Sequence, residues 1–214
     1  MSTKFATIAI VVMLAISFFV AVALYPTMPD PMPSHWNAAG EIDGYMSKFW
    51  GMFLMPLITV GLFLMFLAIP RIDPLKANIA QFIESYNIMM VLLVAYMLYI
   101  YALTLLAALG YAFNMTTMLL PAMGILFIAL GFLIGKAKRN FFVGIRTPWT
   151  LSSDTVWAKT HALGKWTFIG AGAVSVVCAF LGEYALWFMM FSLMAAAFIP
   201  IVYSYILWKR ENPA

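Results

Sequence analysis

Six stretches of this chain contain no Asp, Glu, Lys or Arg: residues 5–25, 50–70, 86–110, 118–135, 166–182 and 184–208. Crossing a hydrocarbon core of ~30 Å takes roughly 17–25 helical residues, and each stretch meets that length. An isolated span must satisfy its own backbone N–H and C=O groups, so each is expected to be a helix. The composition agrees. Charged residues make up 9% of the 214-residue chain and hydrophobic residues 65%, whereas a soluble domain carries about 25% charged residues. Twenty charges cannot coat a globule of this size. The sequence therefore reads as an all-α polytopic membrane protein with six transmembrane helices. A large soluble enzyme domain and a disordered chain are excluded. With Cys178 as the single cysteine, so is a disulfide scaffold. The stretch 166–182 is the shortest, and 184–208 follows after Glu183 alone, so the two are expected to form a tight antiparallel hairpin.

The charges lie between these stretches and set an orientation. Six crossings place Lys4, Arg71, Lys76, Lys136, Lys138, Arg139, Arg146, Lys159, Lys165, Lys209 and Arg210 on one side and Lys48 alone on the other. By the positive-inside rule, both termini and segments 71–85 and 136–165 are expected to be cytoplasmic, with 26–49 outside. The net charge of +4 and pI near 9.2 then divide into about +7 inside and −3 outside. The basic balance records orientation and gives no reason to expect nucleic acid binding. Lys4, the apolar run and the small residues Ala21 and Ala23 look like a secretory signal, but the run is long for one and reads as the first span. Asn114-Met115-Thr116 matches a glycosylation acceptor in a very short outer loop and reads as chance.

Chemistry must come from three polar segments. In the outer loop, Pro26, Pro29, Pro31 and Pro33 keep residues 25–33 extended, and Asp43-Gly44 is a turn signal. Trp36, Tyr45 and Trp50 have the character of interfacial anchors. The segment reads as a structural or binding cap. A second reading is a metal site at His35 with Asp30, Glu41 or Asp43, although one histidine with scattered carboxylates is not a metal motif. In the first inner segment, Asp73-Pro74 predicts a helix start. Leu75, Ile79, Phe82, Ile83 and Tyr86 recur at helical spacing, with Lys76 and Gln81 off the stripe. This predicts a short amphipathic helix on the cytoplasmic surface that runs into the third span. In the second inner segment, Gly144 to Thr150 combine turn formers with Arg146 and Trp149. Ser152 or Ser153 is expected to cap a helix through about Lys165, with Asp154 in its first turn and Trp157 and His161 on one face. Ser152, Asp154 and His161 do not make a hydrolase signature, because no nucleophile-elbow glycines surround the serine.

Two of these segments resemble the SdpI family of bacterial membrane immunity proteins. The outer match is Pro33, His35, Trp36, Asn37, Gly40, Asp43, Gly44, Tyr45 and Lys48. The inner match is Asn140, Gly144-Ile145-Arg146-Thr147-Pro148-Trp149-Thr150-Leu151-Ser152-Ser153, Val156-Trp157, Thr160-His161 and Gly164. Asp73-Pro74, Asn78-Ile79 and Phe82 also fit. The resemblance runs from about Leu24 to the last span. It implies a six-span immunity protein in the cell membrane that protects its cell against a secreted, membrane-active antimicrobial peptide. It also implies a second role as a receptor that signals to, or sequesters, a cytoplasmic repressor. The expected division is residues 1–70 as a helical hairpin with the Pro-rich outer loop and 71–214 as a four-helix SdpI-like region with the signature loop 136–165. The expected ligand surface is the outer loop. The expected partner or structural surface is the inner loop.

Two other classes remain open. One is a membrane enzyme, with a metal-assisted hydrolase at His35 as its form. The other is a transporter of a neutral substrate along Tyr96, Tyr99, Tyr101, Thr104 and Tyr203. Ion coupling is disfavoured, because no stretch holds an ionisable Asp, Glu, Lys, Arg or His. No phosphate loop, dinucleotide fingerprint, zinc spacing or haem motif is present, so no cofactor is expected. Gly131 with Gly135, and Gly170, Gly172 and Ser175, are expected to let helices pack closely.

Overall fold

A computed structural model describes residues 1–212. Helix α1 (Thr3–Leu24) ends in a short turn and leads to a hairpin of strands β1 (Met32–Trp36) and β2 (Ile42–Met46). Then follow α2 (Lys48–Ile72), α3 (Lys76–Gln81), α4 (Ile83–Ala108), α5 (Met115–Ile134), α6 (Pro148–Ser152), α7 (Asp154–Cys178) and α8 (Ala185–Glu211). Among the described residues, five helical segments are long and apolar enough to cross a membrane: Thr3–Thr27, Lys48–Ile72, Ile83–Ala108, Met115–Ile134 and Ala185–Glu211. The stretch 166–182 falls in α7, whose first half carries Asp154, Lys159 and Lys165 and makes the helix as a whole more polar. α7 and α8 pack along each other, but their connection is longer than one residue. Residues 179–181 turn, and Gly182–Tyr184 form a 3-10 turn. Large apolar side chains on α1 and α8 face outward, among them Phe19 (74% exposed) and Phe191 (75%). Lipid contact explains such surfaces.

Contacts sort the polar segments to two ends of the bundle. At one end the Met1 ammonium lies 3.8 Å from Glu84. There, Asn78 donates to the Arg139 carbonyl (2.8 Å) and Ser153 to the Glu211 carboxylate (3.0 Å). The other end holds the hairpin and the α4–α5 loop, where Asn114 Nδ2 donates to the Ala39 carbonyl at 2.5 Å.

Two of the cores between the helices bear on the polar ends. The first joins α1, α2, α3 and α4 through Ile10, Phe63, Phe66, Ile79, Phe82, Tyr86 and Met90. The expected α3 stripe is buried at Ile79, Phe82 and Tyr86, while Lys76 and Gln81 are exposed. The start of α3 differs from expectation. α2 continues through Pro70 to Ile72, Asp73 follows its last turn, and α3 begins only at Lys76. Asp73 Oδ1 instead accepts from Leu75 N–H across a tight turn (2.6 Å), because its other oxygen is held by a distant segment. α3 also ends at Phe82 before α4 begins, so it does not run straight into the next span.

The second core pairs α5 with α7 through glycine. A Cβ on Gly124 would lie 2.5 Å from the Gly172 carbonyl oxygen, and one on Gly172 2.5 Å from that of Gly124. A Cβ on Gly131 would approach the Lys165 carbonyl at 2.8 Å. Gly135 packs against the Lys165 side chain, whereas Gly170 faces open space. Small residues let backbones meet at this range, where dispersion and weak hydrogen bonds replace a hydrophobic drive that lipid does not supply. Gly172→Ala is therefore expected to lower the thermal unfolding midpoint in detergent. Gly170→Ala, two residues away, is expected to be neutral or stabilising by up to about 1 kcal/mol, because helix propensity improves without a clash.

Candidate functional site

At the end expected to face outward, called the outer end, the Pro-rich loop is a β-hairpin. Met32 pairs with Met46, Pro33 with Tyr45, His35 with Gly44 and Trp36 with Ile42, with irregular register around His35. Asp43-Gly44 is not the turn, because both lie inside β2. Gly44 is needed for another reason: a Cβ there would stand 2.8 Å from His35 Cβ. The chain reverses instead at residues 37–41. Asn37 Oδ1 accepts from Glu41 N–H (3.0 Å), its Nδ2 donates to the Glu41 carboxylate (3.1 Å), and Gly40 takes a φ of +81°.

The hairpin is anchored on both sides. Asp30 accepts from Lys48 N–H at 3.2 Å at the start of α2, where the helix dipole favours an anion. Met32 is fully buried against Gly51. At the tip, Asn114 caps α5 by accepting from Thr117 N–H and also holds the Ala39 carbonyl. The would-be glycosylation side chain is thus a structural clamp. His35 Nδ1 and Asp43 Oδ1 are 2.5 Å apart on the exposed face. The structure brings these two together and engages Asp30 and Glu41 elsewhere. Among the described residues no group of three His, Cys, Asp or Glu could hold a metal ion. Pro33 is buried and Tyr45 exposed. Trp36, Gly40 and Glu41 line a cavity of about 380 Å³ with Tyr111 and Asn114. The tyrosine comes from the α4–α5 loop, and nothing local to Tyr111 in the sequence signals that it shares a cavity with Trp36.

At the inner end, the signature residues are mostly internal supports. Asn140 is fully buried. Its Oδ1 accepts from Phe142 and Val143 N–H groups, and its Nδ2 donates to the Lys138 and Val143 carbonyls. Asp73, 2% exposed, accepts from Phe141 N–H at 2.9 Å and so joins the first inner segment to the second. Arg139 pairs with Asp154 (2.7 Å) and donates to the Leu151 carbonyl. Arg146 is exposed and donates to the Phe141 carbonyl. Thr147 and Thr150 form a reciprocal capping box that starts α6 at Pro148. Thr147 also meets Ser204 of α8 at 3.0 Å. Trp149 packs on Tyr205. Ser153, rather than Ser152, caps α7.

His161 and Trp157 stack, with ring centroids 4.0 Å apart. Trp157 Nε1 donates to the Ala137 carbonyl at 2.8 Å. His161 Nδ1 bonds the Trp157 carbonyl (2.8 Å), and its Nε2 accepts from Ile145 N–H (3.0 Å). Those roles define a neutral ring with its proton on Nδ1. Gly144, at φ +117°, leaves room for the imidazole, which any Cβ there would strike. Gly164 likewise admits Ile145. Thr160 is fully buried, and its hydroxyl has no protein partner. Ser152 donates to the Trp149 carbonyl, Asp154 is paired with Arg139, and both His161 nitrogens are occupied, so the three do not assemble into a hydrolytic site.

Two outcomes follow. Burial pushes the His161 imidazole, which precedes the apolar part of α7, down from 6.5 to about 4, with the Trp157 carbonyl partly opposing. The unfolded chain therefore binds a proton that the folded loop excludes between those values. Stability should be complete above pH 6.5 and fall by roughly 3 kcal/mol as the pH drops to about 4. His161→Gln should flatten that dependence in thermal unfolding across the same range. Asp73→Ala leaves the Leu75 and Phe141 N–H groups without their acceptor, each costing about 1–3 kcal/mol where water cannot replace it. Faster tryptic cleavage at Lys138 and Arg139 is the expected sign.

Comparison with known proteins adds an independent line. Residues 136–204 match the SdpI/YfhL protein family, and residues 12–60 match a domain of unknown function, DUF1648. The chain is 28% identical over 204 residues to the immunity protein SdpI of Bacillus subtilis (strain 168), covering 94% of this chain and 95% of that protein. No solved structure matches. With its apolar helices, a C-terminal region, 136–204, that matches the SdpI/YfhL protein family, and its similarity to SdpI along nearly its whole length, the chain is a multi-pass membrane protein.

Proposed function

We propose that this is an integral membrane immunity protein that protects its cell against a secreted, membrane-active antimicrobial peptide. The observation that carries this reading is the similarity to the immunity protein SdpI over nearly the full length of both chains. Six crossings with both termini cytoplasmic complete the arrangement. Two observations support them: Met1, both inner segments and Glu211 gather at one end of the bundle, and eleven of the twelve basic residues lie there. On this topology the hairpin and its cavity face the medium. Trp36 and Tyr111 offer aromatic surface and Glu41 a carboxylate, a combination suited to a cationic, amphipathic peptide. The same hairpin carries the exposed His35–Asp43 pair. The inner loop offers Arg146, exposed at its surface, to a cytoplasmic protein, with a repressor as the partner class.

Expression in a sensitive host, followed by challenge with membrane-active peptides, tests the reading. Survival is expected to depend on the protein for at least one such peptide. Independence for every peptide would overturn it. Trp36→Ala and His35→Ala should weaken protection several-fold while membrane levels of the protein stay unchanged. Arg146→Ala should leave protection intact and reduce any signalling output.

A further inference from the structure

At the inner end, a cavity of about 370 Å³ opens between α3, the end of α5 and the first turns of α7. Its wall carries Lys136 and Lys138 after α5 and the α3 amides of Asn78 and Gln81, which donate to the Arg139 carbonyl and to Asn78 Oδ1 and each keep a second N–H. The sole carboxylate in that wall, Asp154, is committed to Arg139 at 2.7 Å. Among the described residues, no carboxylate comes within ion-pairing distance of Lys136 or Lys138. The cavity is therefore lined by two exposed lysines without a carboxylate partner and by no free acid. Buried His161 lines it as well, with both ring nitrogens already bonded, so it adds neither charge nor a free donor.

The position in the bundle narrows the ligand. Lys136 stands just beyond Ile134, where the apolar run of α5 ends. Beside the cavity edge at Gly135, Lys165 folds its ammonium over Trp166 (4.6 Å) and Phe132 (5.2 Å), as a snorkelling lysine does at the headgroup level. The opposite wall, α3, buries Ile79 and leaves Lys76 and Gln81 exposed, as an interfacial helix would. A basic, donor-lined cavity at that depth suits a phosphate ester. Topology alone accounts for basic residues at this end, but not for their placement around a cavity whose one acid is already paired.

We propose that this cavity binds the phosphate of an anionic phospholipid headgroup, held by Lys136 and Lys138 with Asn78 and Gln81 as further donors. The assignment is independent of the immunity reading and of which leaflet the cavity faces. It is tested on the full-length protein in detergent by titrating phosphatidylglycerol, phosphatidylcholine or inorganic phosphate and reading the thermal unfolding midpoint and lipid binding by native mass spectrometry. Phosphatidylglycerol is expected to bind and raise the midpoint, while phosphatidylcholine and millimolar phosphate do little. Lys136→Gln with Lys138→Gln should weaken phosphatidylglycerol binding about tenfold. The control pair Lys209→Gln with Arg210→Gln removes equal charge outside the cavity and should change it little. Inorganic phosphate that saturates the same lysines and displaces the lipid would assign the site to soluble phosphate and overturn the lipid source. Equal weakening in both variant pairs would mean diffuse attraction to anionic lipid and would overturn the site. The same holds if the Lys136/Lys138 variant binds phosphatidylglycerol as the unaltered protein does.

Discussion

One buried carboxylate holds the inner end together. Asp73 sits in the turn between α2 and α3, yet its second oxygen accepts from Phe141, which lies 68 residues further along the chain. That bond closes the first inner segment onto the second. Asn78 adds a parallel bond to the Arg139 carbonyl, and Asn140 folds the chain that follows into a compact loop. From there Trp157 and His161 lock α7 to the loop, and Thr147 ties the loop to Ser204 of α8. Remove the Asp73 bond and the stacked set of glycine, imidazole and indole loses its fixed neighbour.

The same economy governs the outer end. Prolines and a glycine-tolerant pairing shape a short hairpin, and single polar groups at Asp30 and Asn114 join it to the starts of α2 and α5. Both ends of the bundle are therefore polar structures on apolar helices. Within the helices, close approach comes from glycine at Gly124, Gly131 and Gly172. The inner loop presents its residues less as a surface than as a scaffold, with Arg146 exposed and most of the signature turned inward.

Much of this was readable from residue types. A window without charge must be helical in lipid, so the long helices follow directly. Ser153 and Thr147 were readable as caps or turn formers because a hydroxyl before a helix has few other uses. The errors have physical causes. Asp73-Pro74 looks like a helix start only if the carboxylate is free to cap its own chain, and here it also serves a remote one. Asp43-Gly44 looks like a turn because glycine is common in turns. In this hairpin the glycine answers to His35 across the strand pair. Nothing near Gly124 in the sequence marks its contact with Gly172, and Tyr111 shares a cavity with Trp36, which is distant in sequence.

Residue types alone settle which stretches of this chain suit lipid and which suit water, because the cost of burying charge in hydrocarbon acts residue by residue. They also mark which polar residues were unusual enough to matter. What the tertiary structure alone decided is which of them meet. A hydrogen bond needs its partners within about 3 Å, and the partners of Asp73, Asn114 and His161 come from other segments or an earlier turn. Only packing of the helices sets those distances. It is also what brings the exposed Lys136 and Lys138 to the rim of a cavity beside Asn78 and Gln81.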